Sequence, residues 1–344
     1  MPTLNKRENF LRLINREVPE YIPGYDLFAC FNSPSCFMEG RNPDMTGVDY
    51  FGVEWYKGDN PTGAALPKPG QFILDDITKW RDVIKVPDFA SLDWDAMSQK
   101  DLVMRRPDRP YGGTTAPSVG FFEAIMSFLG FDEGLMAFFE EPEESKALLD
   151  YLCDWSVELA KKFIYYYKPD FGFLGDDIAH ERNPFLSLEM FQDLIAPYWR
   201  RYYATFVEAG IPVGMHNCGH FELYLDDLVD MGVSFWDPVQ SSNDAVAIKA
   251  KFGNNLALCT AGPDTRFYDE DTPEEQIREE IRAYINALAP GGGFAMFEME
   301  MPPMPEMPAG EGTEPPIMGI SPLEMLRGQW VSEEFEALRY SFYN

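Results

Sequence analysis

The chain has 344 residues, of which 45% are hydrophobic and 25% are charged. This composition supports a full hydrophobic core and excludes intrinsic disorder. The 57 acidic and 28 basic residues give a formal charge of −29 at pH 7, so neither a nucleic acid nor an anionic membrane surface is expected as a partner. No secretory leader and no uncharged apolar stretch of about 18 residues occurs, so we expect a cytoplasmic protein.

Apolar runs typical of β-strands occur along the chain, and amphipathic runs separate those of its second half. The predicted strands are Tyr21–Leu27, Phe51–Tyr56, Tyr111–Thr115, Phe171–Gly175, Ile211–His216, Val233–Pro238, Leu256–Thr260 and Gly293–Phe297. Each of the last five is separated from the next by one helical pattern, which indicates consecutive βα units and a parallel sheet. About eight strands, without a Gly-rich dinucleotide turn after the first, favour a barrel over an open doubly wound sheet. We predict an α/β protein with one domain over residues 1–344, a single (β/α)8 TIM-type barrel with an N-terminal helical extension.

Three helices have recognisable ends. Thr272-Pro273-Glu274-Glu275 is typical of a capping box with proline at the first helical position, and the helix is predicted to run to about Leu288. Ser187 begins a second helix that is predicted to end near Gly210, and Phe221–Met231 is a third.

Two of the three histidines lie near a cysteine in the segment Ile211–His220. At the end of a strand, His216 and Cys218 lie on one face and can both reach into the mouth of a barrel. Imidazole and thiolate together suit zinc, which needs a third protein ligand and keeps one position open when it is catalytic. On spacing alone, a packed histidine and an inert buried cysteine are the alternative interpretation.

Longer motifs accompany this pattern. They are Asn5–Phe10 through Val18-Pro19, Gly175-Asp176-Asp177 through Phe191, Met215–Gly232, Pro238-Val239-Gln240, Gly262-Pro263-Asp264-Thr265, Thr272–Glu275 and Ala289–Gly293. Together they resemble the uroporphyrinogen decarboxylase superfamily, and the resemblance extends over roughly residues 4–340. It implies a (β/α) barrel, in agreement with the pattern of predicted strands.

Two activities of that superfamily must be separated. The true decarboxylases have an Arg-rich segment that binds the acidic side chains of the porphyrinogen, whereas the corresponding Gly24–Phe31 contains no arginine. Without that clamp, a substrate with many carboxylates does not match a chain of charge −29. The His-x-Cys-Gly pattern resembles instead the zinc-dependent, corrinoid-linked methyltransferases.

In that branch the third zinc ligand is a cysteine on the last barrel strand, where this sequence has none. Counting forward from the glycines puts Glu300 at the cysteine's place, and counting back from the following prolines puts Met299 there. Glu298 and Glu300 share a strand face, so either carboxylate can fill the position. We predict a zinc site of His216, Cys218 and one of these glutamates; loss of the metal site is the alternative. A carboxylate ligand favours an ether or phenol oxygen over a thiol.

Asp176 and Asp177 follow an apolar strand and therefore lie at the predicted barrel mouth. Paired carboxylates there can act as a proton donor or a substrate anchor, and these two are the predicted catalytic residues. Asp-Asp after a strand is equally typical of a helix start. The Met- and Pro-rich segment Glu298–Pro316 opens on the same face and is interpreted as a lid or docking loop, or as a solvated connection.

The resemblance implies a methyltransferase that moves a methyl group from a small methylated substrate to cobalt. The sequence contains no Asp-x-His-x-x-Gly loop of a cobalamin-binding module, so the corrinoid is expected on a separate protein. Our leading hypothesis is O-demethylation of an aryl methyl ether. The alternatives are the reverse transfer from methyl-corrinoid to a thiol or another acceptor, and a porphyrinogen decarboxylase-like or tetrapyrrole-binding barrel.

Overall fold

The computed structural model describes residues 2–26, 32–58, 64–117, 120–298 and 322–343. Of the predicted loop Glu298–Pro316, only Glu298 belongs to these residues; Glu300, Met299 and the rest of the loop lie outside them. None of the helices in the described ranges combines the length and apolar character needed to cross a membrane.

Helices account for most of the described secondary structure. The α-helices are α1 Lys6–Ile14, α2 Trp80–Val83, α3 Trp94–Asp101, α4 Phe121–Leu129, α5 Phe131–Glu140, α6 Pro142–Tyr167, α7 Leu188–Leu194, α8 Ala196–Val207, α9 Leu225–Asp230, α10 Ala245–Phe252, α11 Glu274–Leu288 and α12 Pro322–Leu338. The strands are β1 Gly24–Tyr25, β2 Gly47–Val48, β3 Glu54–Tyr56, β4 Leu66–Pro67, β5 Gly112–Gly113, β6 Phe171–Gly175, β7 Val213–His216, β8 Val233–Asp237, β9 Ala257–Thr260 and β10 Phe294–Phe297.

Seven of these strands form one parallel sheet in the order β1-β10-β9-β8-β7-β6-β5. From β6 to β10 the strands are neighbours in chain order, and at least one helix lies in each connection. Asn32, which follows β1 at one edge of the sheet, forms a parallel bridge with Gly113 of β5 at the other edge. The sheet is therefore curled, and the predicted α/β TIM-type barrel is confirmed.

The predicted strand Phe51–Tyr56 does not belong to the barrel, and that prediction is wrong. Its ordered part, β3, pairs antiparallel with β2 and β4 in a separate three-stranded sheet. The reason is topological: a parallel neighbour requires a long crossover connection, whereas strands joined by short turns pair antiparallel. A turn at Asp49–Gly52, where the backbone N–H of Gly52 donates to the carbonyl of Asp49, joins β2 to β3.

Aromatic side chains fill the barrel at the amino ends of its strands. Phe171 and Phe235 pack edge to face inside the barrel, and Phe10 of α1 contacts both rings. Cys259 is fully buried in the same cluster and packs as a core residue. The N-terminal helix α1, begun by a capping box at Asn5, thus closes the amino end of the barrel, and polar side chains are left to the carboxyl end.

Two helix predictions need correction. The helix from Ser187 does not continue to Gly210 but is interrupted at Ile195, because Pro197 at the start of α8 cannot donate a backbone hydrogen bond. At α11 the expected capping box is absent; Pro273 itself is the N-cap residue, and no side chain caps the helix.

Candidate functional site

Three neighbouring strands end at the same level of the barrel mouth. The register pairs Gly175 of β6 with His216 of β7, and His216 with Asp237 of β8. Residues that directly follow β6 and β7 therefore project beside one another at the carboxyl edge of the sheet. This edge is where the active sites of parallel barrels are built.

Asp177, His216 and Cys218 form a cluster at this edge. One potential ligand atom from each residue lies within 4.8 Å of the other two. Nε2 of His216 is 3.8 Å from Sγ of Cys218 and 3.9 Å from Oδ1 of Asp177. A tetrahedral zinc ion holds a nitrogen and a sulfur ligand roughly 3.5 Å apart. The nitrogen, sulfur and oxygen donors of the cluster therefore fit a zinc ion after a small contraction.

Backbone contacts hold Asp177 in position. Its Oδ1 accepts a hydrogen bond of 2.8 Å from the backbone N–H of Cys218, which links the ends of β6 and β7. The Asp177 side chain is 39% exposed, whereas that of His216 is 16% exposed. The cluster is thus open to the barrel mouth on its Asp177 side.

Asp237 lies behind His216. Its Oδ2 is 3.6 Å from Nδ1 of the imidazole, and its side chain is 1% exposed. Neither oxygen of this carboxylate has a hydrogen-bond partner in the described part of the chain. The arrangement matches the carboxylate–histidine pair that orients a metal-binding imidazole from its far side.

Acidic groups surround His216. Burial by itself lowers the pKa of the imidazole, but Asp237, Cys218 and Asp177 outweigh burial and raise the pKa well above its ordinary value. Burial raises the pKa of the Cys218 thiol, and the neighbouring His216 opposes that rise. A group of acidic side chains around one imidazole has the charge to hold a cation, and a bound metal would favour the thiolate form of Cys218.

The two predicted catalytic aspartates have different surroundings. Asp176 is fully buried, and its carboxylate accepts hydrogen bonds from Nε1 of Trp199 and from three backbone N–H groups that begin α4. Gly120 permits this contact, because a Cβ atom there would lie 2.4 Å from the Asp176 carboxyl group. Burial raises the pKa of Asp176 to about 6. Asp176 thus anchors α4, and Asp177 is the member of the pair that faces the cluster.

Glu123 in the first turn of α4 lies near both aspartates. Burial raises the pKa of its carboxyl group well above the ordinary value, and the charges of Asp177 and Asp176 raise it further. A carboxyl group in such an environment retains its proton more readily than an exposed one. Glu123 was not predicted from the sequence; it is the one charged residue in the apolar run Phe121–Leu129, and that contrast is the signal that could have identified it.

Glu298 lies at the end of β10 and is not part of the cluster. Its carboxylate binds Nζ of Lys6 and, at 3.3 Å, the guanidinium of Arg339. Burial acts to raise the pKa of Glu298, but the hydrogen bond from Lys6 and the charge of Arg339 hold it below its ordinary value. The structure therefore supplies Asp177 as the carboxylate beside His216 and Cys218, whereas Glu298 forms ion pairs at another edge of the mouth.

Comparisons with known proteins agree with this architecture. A profile of the family described as uroporphyrinogen decarboxylase (URO-D) matches residues 111–303, more than half of the chain. The chain belongs to this family.

A solved structure shows the same fold over nearly the whole chain. A methyltransferase from Methanosarcina mazei superposes with a TM-score of 0.59 at 13% sequence identity, covering 97% of this chain and 99% of that one. No curated protein matches the sequence. The family match and the superposition together confirm the barrel that the motifs of the sequence indicated.

Within this member of the URO-D family, glycine fixes the loop after β7. Gly219 has a φ of +83°, and a Cβ atom there would lie 2.7 Å from the carbonyl oxygens of Ala179 and His180. Its N–H donates a hydrogen bond of 2.7 Å to Gln240, in the motif that follows β8. His220 contacts the carbonyl of Ser242 through Nδ1. The glycine and His220 of the motif therefore hold the loop that carries Cys218.

Asp237 was the second residue that the sequence analysis missed. It is the penultimate residue of the predicted strand Val233–Pro238, so its position at the barrel mouth was available from the pattern. An acidic residue at the carboxyl end of a barrel strand, one strand from a candidate ligand, is the signal that could have identified it.

Proposed function

We propose that this protein is a zinc-dependent methyltransferase that transfers a methyl group from a small methylated substrate to the cobalt of a separate corrinoid protein. The observation that carries the proposal is the cluster of Asp177, His216 and Cys218 at the carboxyl edge of the barrel. Membership of the URO-D family and the likeness to a protein named as a methyltransferase support it. The family alone does not choose the reaction, because one fold supports several chemistries.

Asp177, His216 and Cys218 would hold the zinc ion. When bound there, zinc supplies positive charge next to the atom on which negative charge develops as the methyl group departs. The donor set contains one sulfur in the described part of the chain, and its carboxylate makes the site harder than one with two thiolates. This composition favours an oxygen leaving group, and we propose an aryl methyl ether as the substrate.

The residues around the cluster keep its donors in place. Asp237 faces Nδ1 of His216 and favours the orientation in which Nε2 points towards Cys218. Asp176 accepts three hydrogen bonds from the start of α4 and a fourth from Trp199 of α8, and this positions the segment that continues into Asp177. The chain thereby holds the substrate's leaving atom near a fixed set of donors, while the partner's corrinoid supplies the nucleophile.

Methyl transfer to free cob(I)alamin tests this proposal. The zinc-loaded protein is mixed anaerobically with cob(I)alamin and, separately, with methoxylated aromatics, methylamines and methanol. We expect the absorbance of methylcobalamin to appear with a methoxylated aromatic, and to be lost after chelation and restored by zinc. Protein that contains about one zinc per chain yet methylates cobalamin from none of these substrates would refute the proposed function.

A further inference from the structure

Arg41 has a largely buried side chain whose guanidinium group is not fully hydrogen-bonded within the described residues. Its side chain is 7% exposed, and Nε has no hydrogen-bond partner in the described part of the chain. The guanidinium stacks on the indole of Trp55 at 4.3 Å from the ring centroid. A buried cation is costly unless its donors are satisfied, so an arginine in this state has capacity for an anionic partner.

Asp49 does not supply that partner fully. Its closest oxygen lies 3.9 Å from a terminal nitrogen of Arg41, beyond hydrogen-bond distance. The same carboxylate already accepts hydrogen bonds from Nε1 of Trp55 and from the backbone N–H groups of Phe51 and Val53. Asp49 is thus fixed by its own turn; it forms a long ion pair with Arg41 but accepts no hydrogen bond from the guanidinium.

The small antiparallel sheet holds Arg41 in this position. Gly40 and Gly47 bring the two sides of a tight loop together, since a Cβ atom on either would lie within about 2.3 Å of a backbone oxygen of the other strand. Arg41 pairs with Gly47 in the same loop, and β3 presents Trp55 beneath the guanidinium. The stack on a rigid indole orients the planar guanidinium in advance of binding, which lowers the entropic cost of binding a ligand.

Arg41 lines a recess with aromatic and hydroxyl-bearing walls. The cavity has a volume of about 50 Å³, enough for a few heavy atoms such as those of a carboxylate group. Phe37 and Tyr50, whose rings contact each other edge to face, form its apolar side. Thr114 and Thr115 form the side nearest the barrel.

The recess lies at the same edge of the barrel as the metal cluster. Thr114 and Thr115 directly follow β5, just as Asp177 follows the neighbouring β6 by two residues. Ser33 joins the two sides of the recess, since its hydroxyl donates a hydrogen bond of 2.9 Å to the carbonyl of Thr114. Adjacent parallel strands are about 4.8 Å apart, so the strand that leads to the recess is the direct neighbour of the strand that leads to Asp177. Leu159 of α6 also lines the recess.

We propose that this recess binds the carboxylate group of a small aromatic acid, with Arg41 as its cationic partner. Guanidinium and carboxylate form two parallel hydrogen bonds in a planar arrangement, which suits a cation that is already oriented by stacking. The ring of the acid would contact Phe37 and Tyr50. That the bound acid is the methyl donor, a methoxybenzoate, rests on the proposed function.

The overall charge of the chain makes a dedicated cation necessary for such a ligand. At −29, the protein repels anions at long range, so a carboxylate will not accumulate near it without a specific contact. Arg41 and the carboxylate of Asp49 both line the recess, and Arg41 is the one cation among its lining residues. A single guanidinium suits one carboxylate and not a molecule with many. The proposed ligand therefore differs from a porphyrinogen, which carries many carboxylates.

Calorimetric titration tests the recess without relying on catalysis. We expect benzoate to bind the wild-type protein at least about tenfold more tightly than benzamide or acetate, because only benzoate satisfies both the guanidinium and the aromatic wall. Arg41→Met should abolish the preference for benzoate over benzamide, and Arg41→Lys should weaken it. Arg12→Met removes a partly exposed arginine of α1 and should leave binding unchanged.

Equal binding of benzoate and benzamide to the wild-type protein would overturn the proposal, and this comparison does not depend on the folding of any variant. Acetate binding as tight as that of benzoate would overturn the aromatic part of it. Arg41-dependent binding of benzoate, combined with no methyl transfer from any methoxybenzoate, would support the recess and refute its role in the proposed reaction. Methyl transfer that Arg41→Met leaves unchanged would refute the role of the recess in the reaction and leave the proposed function standing.

Discussion

The carboxyl ends of β6 and β10 each carry an acidic side chain, but the two carboxylates have opposite surroundings. Asp177 beyond β6 faces an imidazole and a thiol, whereas Glu298 beyond β10 faces the cations of Lys6 and Arg339. The first environment combines nitrogen, sulfur and oxygen donors that can bind a metal, whereas the carboxylate in the second is already paired with two cations. The position of an acid at the barrel mouth therefore does not define its role; its partners do.

The largest effect should come from removing the thiol of the cluster. Cys218→Ala is expected to reduce zinc from about one per chain to near zero after dialysis, with loss of methyl transfer, because a chelate with one ligand fewer loses most of its affinity. Elemental analysis measures the metal. Cys36→Ala, at a half-buried cysteine outside the cluster, is the matched control and should retain zinc. A Cys218→Ala protein with full metal content and full activity would show that the cluster is not the site.

Removing the charge of Glu298, at the end of β10, should affect the stability of the protein and not its metal binding. Glu298→Gln leaves the guanidinium of Arg339, which is 3% exposed, with Glu336 as its one acidic partner among the residues that the structure describes. We expect a loss of about 2–3 kcal/mol in the free energy of unfolding, measured by denaturant titration, because a buried charge loses a partner. Glu336→Gln removes the more exposed partner of the same arginine and should cost less than about 1 kcal/mol. Similar losses in both variants would contradict this difference.

A smaller effect on zinc binding is expected from changing Asp237, which lies behind His216. Asp237→Asn keeps the shape of the side chain but removes the charge that faces Nδ1 of His216. Zinc affinity, measured by competition with a chelator, should fall about 10- to 100-fold. Asp244→Asn changes an aspartate that caps α10 and should leave the affinity unchanged. Equal zinc affinity in wild type and Asp237→Asn would show that this carboxylate does not orient the histidine.

The same comparison shows how far the sequence could lead. The strands β6 to β10 were predicted because their apolar runs are buried on both faces and are separated by helical patterns. His216 and Cys218 were found because both follow one of these strands closely. Asp177, the carboxylate beside them, was not assigned to the metal site, because strand order and register cannot be read from the sequence. The register that joins Gly175 to His216 brings Asp177 to the cluster, whereas β10 is separated from β7 by β8 and β9.

Short strands and single charged residues were harder to assign from the sequence. The sequence pattern at Phe51–Tyr56 indicates a strand but not its sheet, since strand propensity contains no information about partners. Arg41 and Asp237 escaped notice for a related reason. A single charged residue becomes a candidate only when its burial and its missing hydrogen bonds are known, and both depend on tertiary contacts.

The zinc dissociation constants of Asp177→Asn and Glu298→Gln, measured side by side with the wild-type protein, test the central claim most directly. Both changes replace a carboxylate by an amide of the same shape at the end of a barrel strand. If the metal centre consists of Asp177, His216 and Cys218, Asp177→Asn should weaken zinc binding at least about tenfold, and Glu298→Gln should leave it unchanged. Weaker binding in Glu298→Gln together with unchanged binding in Asp177→Asn would contradict the assignment.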